Sequence, residues 1–185
     1  MSEDRTFLDK ILYGSGVVFD LAKWLILLLI VLSVVNTFFV GVFVVDGESM
    51  YPNFRDREVV LWRKGVYDSG QVKPNRADIV VVQYPGDPKH KKYVKRIVGL
   101  PNESVQISKG KVYINKKLYS EEYLNPSLLT EPDGYWKLKA GEYFVMGDNR
   151  PNSNDSRYFG PIETRFIMGK SIGVVFPRFR LVEDI

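Results

Sequence analysis

No charged residue occurs between Lys23 and Asp46, and almost every residue in that interval is apolar. At about 1.5 Å of rise per helical residue, such a run is long enough to cross a hydrocarbon core of roughly 30 Å. Residues 24–45 are therefore expected to form a transmembrane helix, with Ser33, Asn36 and Thr37 as tolerable polar exceptions. A cleavable leader has a shorter apolar core, about 7–15 residues, that closes on small side chains. This run closes on Val42-Phe43-Val44-Val45. A helix packed with one side against a soluble core would carry a polar face, which is missing here. A retained anchor is the reading that remains. Ahead of it, residues 1–23 mix Asp4, Asp9 and Asp20 with Phe7, Leu8, Ile11, Leu12, Val17, Val18 and Leu21. That spacing suits a short amphipathic helix at the membrane surface or on its cytoplasmic side, interrupted at Gly14-Ser15-Gly16. Basic residues flank the anchor on both sides, Arg5, Lys10 and Lys23 against Arg55, Arg57, Arg63 and Lys64, so charge alone does not set its orientation.

The chain has 185 residues, and the portion after the anchor suffices for one ordinary domain. Beyond Asp46 the hydrophobic period shortens. Val59-Val60-Leu61-Trp62, Ile79-Val80-Val81-Val82, Tyr143-Phe144-Val145-Met146 and Ile172-Gly173-Val174-Val175-Phe176 are short β-branched or aromatic runs bounded by turn residues. Val105–Ile107 and Val112–Ile114 flank Ser108-Lys109-Gly110-Lys111 and predict a hairpin. Asn125 to Gly134, with its two prolines, predicts a loop. The expected fold is mostly β, an antiparallel domain over residues 46–185. The chain has no cysteine, which excludes disulfides, thiolate metal sites and a cysteine nucleophile. Its net charge of +4, including Lys89-His90-Lys91-Lys92, favours anionic lipid headgroups over nucleic acid, for which no binding signature is present.

The candidate nucleophile is Ser49, in Gly47-Glu48-Ser49-Met50-Tyr51-Pro52, a turn-like setting that can expose a hydroxyl together with its own main-chain N–H. A serine hydroxyl needs a base within hydrogen-bond reach. His90 is the single histidine, but it is flanked by cations and has no group to orient it. Lys95, within Tyr93-Val94-Lys95-Arg96-Ile97-Val98-Gly99-Leu100-Pro101, can lie against apolar surface, where desolvation disfavours its ammonium form. Strand alternation equally allows Lys95 to point outward from an edge strand. A third stretch, Gly147 to Gly160, is dense in small polar and oppositely charged residues. It reads as a surface loop with local ion pairs, or as a support in which a hydroxyl such as that of Ser153 fixes the lysine from behind.

Ser49-Met50-Tyr51-Pro52 after an anchor, Asp78-Ile79-Val80-Val81-Val82, Tyr93 to Pro101 and Gly147 to Gly160 together resemble, in order, the boxes of bacterial type I signal peptidases. The single anchor and compact length are similar to the Gram-positive form. The resemblance implies a membrane-bound serine endopeptidase, N-terminus cytoplasmic and catalytic domain on the outer face of the cytoplasmic membrane. It would remove signal peptides from exported preproteins beside the secretion translocon and use neither metal nor cofactor. By the same resemblance Ser49 is the nucleophile and Lys95 the general base. Ser153 orients the lysine, and Asp148, Arg96, Asp155 and Arg157 form supporting ion pairs. Met50, Phe54, Val81, Tyr93 and Val94 shape shallow apolar sites for small residues at −1 and −3. The chain departs from the commonest pattern at Asn53, Asn102-Glu103 and Pro151, and Gly47 removes a hydroxyl that helps bind the oxyanion in some members. Two other classes compete. One is a non-catalytic bitopic protein whose β domain binds a partner. The other is a self-cleaving Ser-Lys repressor, which the anchor and the lack of a DNA-binding region before Ser49 disfavour.

Overall fold

The computed structural model describes residues 3–67, 70–84, 86, 88 and 91–182, and divides into a first unit ending at Phe39 and a second beginning at Val40. The first unit is one helix, α1 (Glu3–Phe38), in which Val18–Val35 has a mean hydropathy of 2.5 and no buried residue. That segment is long and apolar enough to cross a membrane, with exposed leucines and isoleucines on all sides. Two expectations are corrected here. The helix continues through Gly14-Ser15-Gly16, where the sequence predicts an interruption. A helical glycine costs only about 1 kcal/mol relative to alanine, which a long flanking helix absorbs. The helix also stops at Phe38, short of the expected Val45, because Val40–Val44 is a strand, β1. Lack of charge does not separate helix from strand. The alternation in Val40-Gly41-Val42-Phe43-Val44 does, with Gly41 buried and Val42 and Val44 exposed.

The second unit is antiparallel throughout. Its larger sheet places β1 beside β2 (Val59–Lys64), followed by β11 (Ile167–Phe176), β3 (Ile79–Gln83), β4 (Lys92–Gly99), β9 (Glu142–Met146) and β10 (Ile162–Glu163), with β12 (Arg180–Leu181) also on β11. A smaller sheet runs β7 (Lys117–Leu118), β6 (Lys111–Ile114), β5 (Ser104–Ser108), β8 (Gly134–Lys137). The mostly β antiparallel fold expected from the sequence is thus observed. The predicted hairpin joins β5 to β6 with Ser108 opposite Lys111, and Lys109 (φ 50°) and Gly110 (φ 75°) supply the left-handed turn that matches strand twist.

Alternation sends side chains of the larger sheet to two cores. Val80, Val82, Ile97, Tyr143, Val145 and Ile167 pack in one cluster. Met50, Phe54, Val60, Ile79, Val94 and Val174 pack in another. A third cluster joins the two sheets, where Val98, Phe144 and Met146 meet Val105, Ile107 and Val112. Gly99 permits this approach, since a Cβ there would sit 2.5 Å from Val105 Cγ2 and 2.8 Å from Leu138 Cδ1. Phe144 has no exposed surface. Phe144→Ala is expected to cost about 3–5 kcal/mol through lost burial and the cavity left behind. Thermal unfolding of the detergent-solubilised chain checks this, and an unchanged midpoint would contradict the packing.

Candidate active site

Ser49 lies in the turn after β1. Gly47 adopts φ 99°, a left-handed conformation that side chains with a Cβ rarely reach, and its N–H is held by Asp56 Oδ1 at 2.8 Å. Tyr51 N–H closes the turn on Glu48 O at 3.0 Å. Buried Met50 and Phe54 anchor the turn in the core, so the neighbouring hydroxyl is fixed from below while Ser49 itself stays partly exposed. The Ser49 main-chain N–H has no acceptor among the described residues.

Lys95 stands on β4 opposite Val80 of β3 and is 2% exposed. Its Nζ lies 2.7 Å from Ser49 Oγ. The outward-facing alternative for this lysine is thereby overturned. Burial lowers the Lys95 pKa from 10.5 to about 8; Asp155 and Asp148 pull it back up, and Arg157 lowers it further. Desolvation wins because each carboxylate is already matched to a guanidinium. Arg96 grips Asp148 through Nε at 2.9 Å and Nη2 at 2.7 Å, and its Cζ lies 4.0 Å from the centre of the Tyr123 ring. Arg157 grips Asp155 through Nε and Nη2, both at 2.8 Å. These four charged residues are buried, as bidentate pairs can be and lone charges cannot.

The 147–160 stretch is therefore more than a surface loop. Asp155 caps helix α2 (Ser156–Phe159) and accepts the Gly147 N–H at 2.9 Å. Asn149 spans Ser49, its N–H on Ser49 O and its side-chain amide on Glu48 O, both at 3.0 Å. Asn53 Nδ2 donates to Asp148 Oδ2 at 2.8 Å. Arg150, 1% exposed, bonds Gly147 O, Thr130 Oγ1 and Glu121, tying down the segment before β8. Asn149, Asn53 and Arg150 escape the sequence reading. Only the density of amides and charges within 147–160 hints at Asn149 and Arg150, and nothing in the sequence marks this role for Asn53.

Two expectations about the site do not match the geometry. Ser153 is expected to bond Lys95, but its hydroxyl is buried without a hydrogen-bond partner and packs against Gly147. Neighbourhood in sequence predicts proximity to the site, whereas the rotamer decides the bond. Of Met50, Phe54, Val81, Tyr93 and Val94, only Tyr93 lines the cavity beside Lys95. Met50, Phe54 and Val94 belong to the core on the opposite face, and Val81 has no exposed surface. Strand alternation makes the difference, since Tyr93 and Lys95 share one face of β4 and Val94 the other. The cavity, about 40 Å3, is walled by Val82, Tyr84, Tyr93, Asn154 and Phe159. His90 lies outside the described residues. Among the described residues no group of three His, Asp or Glu side chains could hold a metal.

A family model described as signal peptidase, peptidase S26, matches residues 18–176. Signal peptidase I of Bacillus amyloliquefaciens is 39% identical over 173 residues, covering 88% of this chain and 90% of that protein. Signal peptidase I S of Bacillus subtilis (strain 168) is 37% identical over 171 residues, covering 86% and 90%. A crystal structure of a signal peptidase I from Enterococcus faecalis V583 is 32% identical, with a TM-score of 0.47, and covers 54% of this chain and 97% of that one. The class is therefore a serine peptidase, a hydrolase whose antiparallel β domain follows an N-terminal apolar helix in the sequence. Within that class the chain belongs to the signal peptidase family, peptidase S26.

The buried amine and the crowded glycine are each open to test. The folded pKa of Lys95 lies below its unfolded value, so the cost of burying the ammonium is fully present below about pH 8. It is relieved as pH rises from about 8 to 10.5, where the folded chain releases its proton before the unfolded one. Lys95→Met, which fills similar space, is expected to be more stable than wild type at pH 7 by up to about 3 kcal/mol. Denaturant titrations at several pH values should show that advantage shrinking to nothing by about pH 10.5; a constant difference would contradict it. Separately, a Cβ at Gly147 would overlap Ser153 Oγ and the Ser49 main-chain oxygen. Because backbone cannot yield, Gly147→Ala should displace Ser49 and lower kcat/KM by about 100-fold or more in a folded chain. Wild-type turnover in this variant would show that Ser49 needs no such placement.

Proposed function

We propose that this chain cleaves signal peptides with a Ser49–Lys95 dyad. The observation that carries the reading is the 2.7 Å separation of a serine hydroxyl from a buried lysine amine. In the neutral state the Lys95 lone pair accepts the Ser49 proton as Oγ attacks the carbonyl carbon of the −1 residue. The developing oxyanion accepts a hydrogen bond from the Ser49 main-chain N–H. The Lys95 ammonium then gives its proton to the departing amine of the mature chain, leaving the signal peptide as an ester on Ser49. Neutral again, the amine takes a proton from water, whose hydroxide hydrolyses the ester and restores the hydroxyl. Asp148, Arg96, Asp155 and Arg157 hold the amine and the nucleophile turn in register, with Ser153 packed behind.

The substrate is proposed to bind extended along β4. Register with β9 begins only at Arg96, which leaves the edge near Lys95 open to a further strand. A cavity of about 40 Å3 supports selection for small side chains, since a single water needs roughly 10–15 Å3 of such space. A methyl group fits there, consistent with alanine-like residues at −1 and −3. Tyr93 has a direct part in that choice. Met50, Phe54, Val81 and Val94 act through the packing beneath the site. Val18–Val35 would anchor the enzyme in the cytoplasmic membrane, with the N-terminus inside and the second unit outside, where exported preproteins emerge beside the translocon. A partner-binding module would gain nothing from a desolvated lysine set against a serine, which disfavours the non-catalytic reading.

With the Lys95 pKa at about 8, kcat/KM for a labelled preprotein should rise about tenfold per pH unit below that value and level off above it. Ser49→Ala and Lys95→Ala should each lower turnover by about three orders of magnitude or more while the chain stays folded. Incubation of the detergent-solubilised chain with preprotein, the cut located by mass spectrometry, measures both. Near-normal cleavage by either variant would remove the dyad from the mechanism.

A further inference from the structure

Away from the catalytic residues, the loop of Arg55 to Glu58 and the segment Phe176 to Arg180 enclose an open groove of about 570 Å3. Its charges are unevenly matched. Glu58 holds Arg180 with both carboxylate oxygens at 2.7 Å. Arg55 and Arg178 have no carboxylate partner among the described residues, and Arg57 only approaches Asp56 at 3.6 Å. Beside these guanidinium groups, Phe176 and Phe179 are 62% and 69% exposed. Uncompensated arginines and unburied aromatic rings thus share one short segment and the groove next to it.

Their joint chemistry selects a ligand. Guanidinium forks match phosphate oxygens bidentately. Phenyl rings gain free energy by entering the boundary between headgroups and acyl chains. An acidic peptide would use the arginines and leave the rings in water. A chain carrying a helix of membrane-spanning length meets lipid in any case. We propose that the groove of Arg55, Arg57 and Arg178 binds the phosphate of an anionic phospholipid headgroup, with Phe176 and Phe179 entering the adjoining acyl region. Arg55, Arg57, Arg178, Phe176 and Phe179 belong neither to the dyad nor to its supporting ion pairs, although Asp56 and Arg180 of the groove wall also bond Gly47 and Asn53.

The test uses the full chain in neutral detergent micelles. Native mass spectrometry tracks retention of added phosphatidylglycerol or phosphatidylcholine. Wild type should retain phosphatidylglycerol preferentially. Each basic side chain near an anionic surface contributes about a fivefold factor, so Arg57→Gln with Arg178→Gln should weaken that retention about 30-fold and leave phosphatidylcholine unaffected. Both side chains are exposed, so the thermal midpoint should hold; the single Arg178→Gln, with about a fivefold loss, serves if it does not. Equal phosphatidylglycerol retention by wild type and variant overturns the site. Loss on Lys23→Gln in place of the arginine changes would assign the lipid to the helix flank and overturn it as well. Competition by inorganic phosphate as effective as by the lipid would make a soluble phosphate the ligand, against the proposal.

Discussion

A single buried amine governs the second unit. Lys95 cannot be charged without losing hydration, and among the described residues its hydrogen-bond partner is the hydroxyl it would deprotonate. An ordinary lysine would be protonated by more than three pH units at neutrality; burial narrows that gap to about one, with the folded pKa near 8. Two buried carboxylates nearby oppose the shift. Had Asp148 or Asp155 stood alone, its attraction for the ammonium would have raised the pKa further. Each is instead met by both nitrogens of an arginine fork, so the local net charge is close to zero and desolvation prevails.

The pairs have a second consequence. Breaking a buried ion pair by removing one partner costs about 3–5 kcal/mol, because the other charge is left unpaired. Asp148 also receives Asn53, next to the Ser49 turn, and Asp155 receives the Gly147 N–H. Asn149 then joins the same stretch to the carbonyls of Glu48 and Ser49. The arrangement that neutralises the acids thus also sets where the serine stands. Electrostatics and geometry are one construction here, and a substitution in either pair disturbs both.

Much of this is legible in the sequence because it is periodic. Two-residue alternation marks the strands of both sheets, and the glycine turn marks the β5–β6 hairpin with its ends in place. Serine and lysine are recognisable as chemistry, although they are far apart in the chain. What escapes depends on faces and rotamers. The apolar run up to Val45 has one composition but two structures, since Val40–Val44 satisfies its backbone on β2 and the helix ahead of it does so internally. Residues adjacent in sequence, such as Tyr93, Val94 and Lys95, suggest one shared pocket, yet alternation separates them. Short strands such as β7, β10 and β12 carry too few residues to show a period at all.

Gly47 shows how a backbone requirement can shape the chemistry. A Cβ at this position would meet nothing within 4 Å, so space does not exclude a serine. The conformation does, because φ 99° is costly for any residue with a side chain. The Gly47 N–H is no substitute donor, being held by Asp56 Oδ1 at 2.8 Å. On the proposed mechanism the oxyanion is then met within this turn by the Ser49 N–H alone. One donor of this kind is worth about 3 to 4 kcal/mol in transition-state stabilisation. With no second hydroxyl to share the task, the orientation of that one N–H matters more, and it is set by the hydrogen bonds that Asn149 makes on either side of it. The turn that exposes the nucleophile, the glycine that shapes it and the asparagine that clamps it therefore act on the same main-chain group.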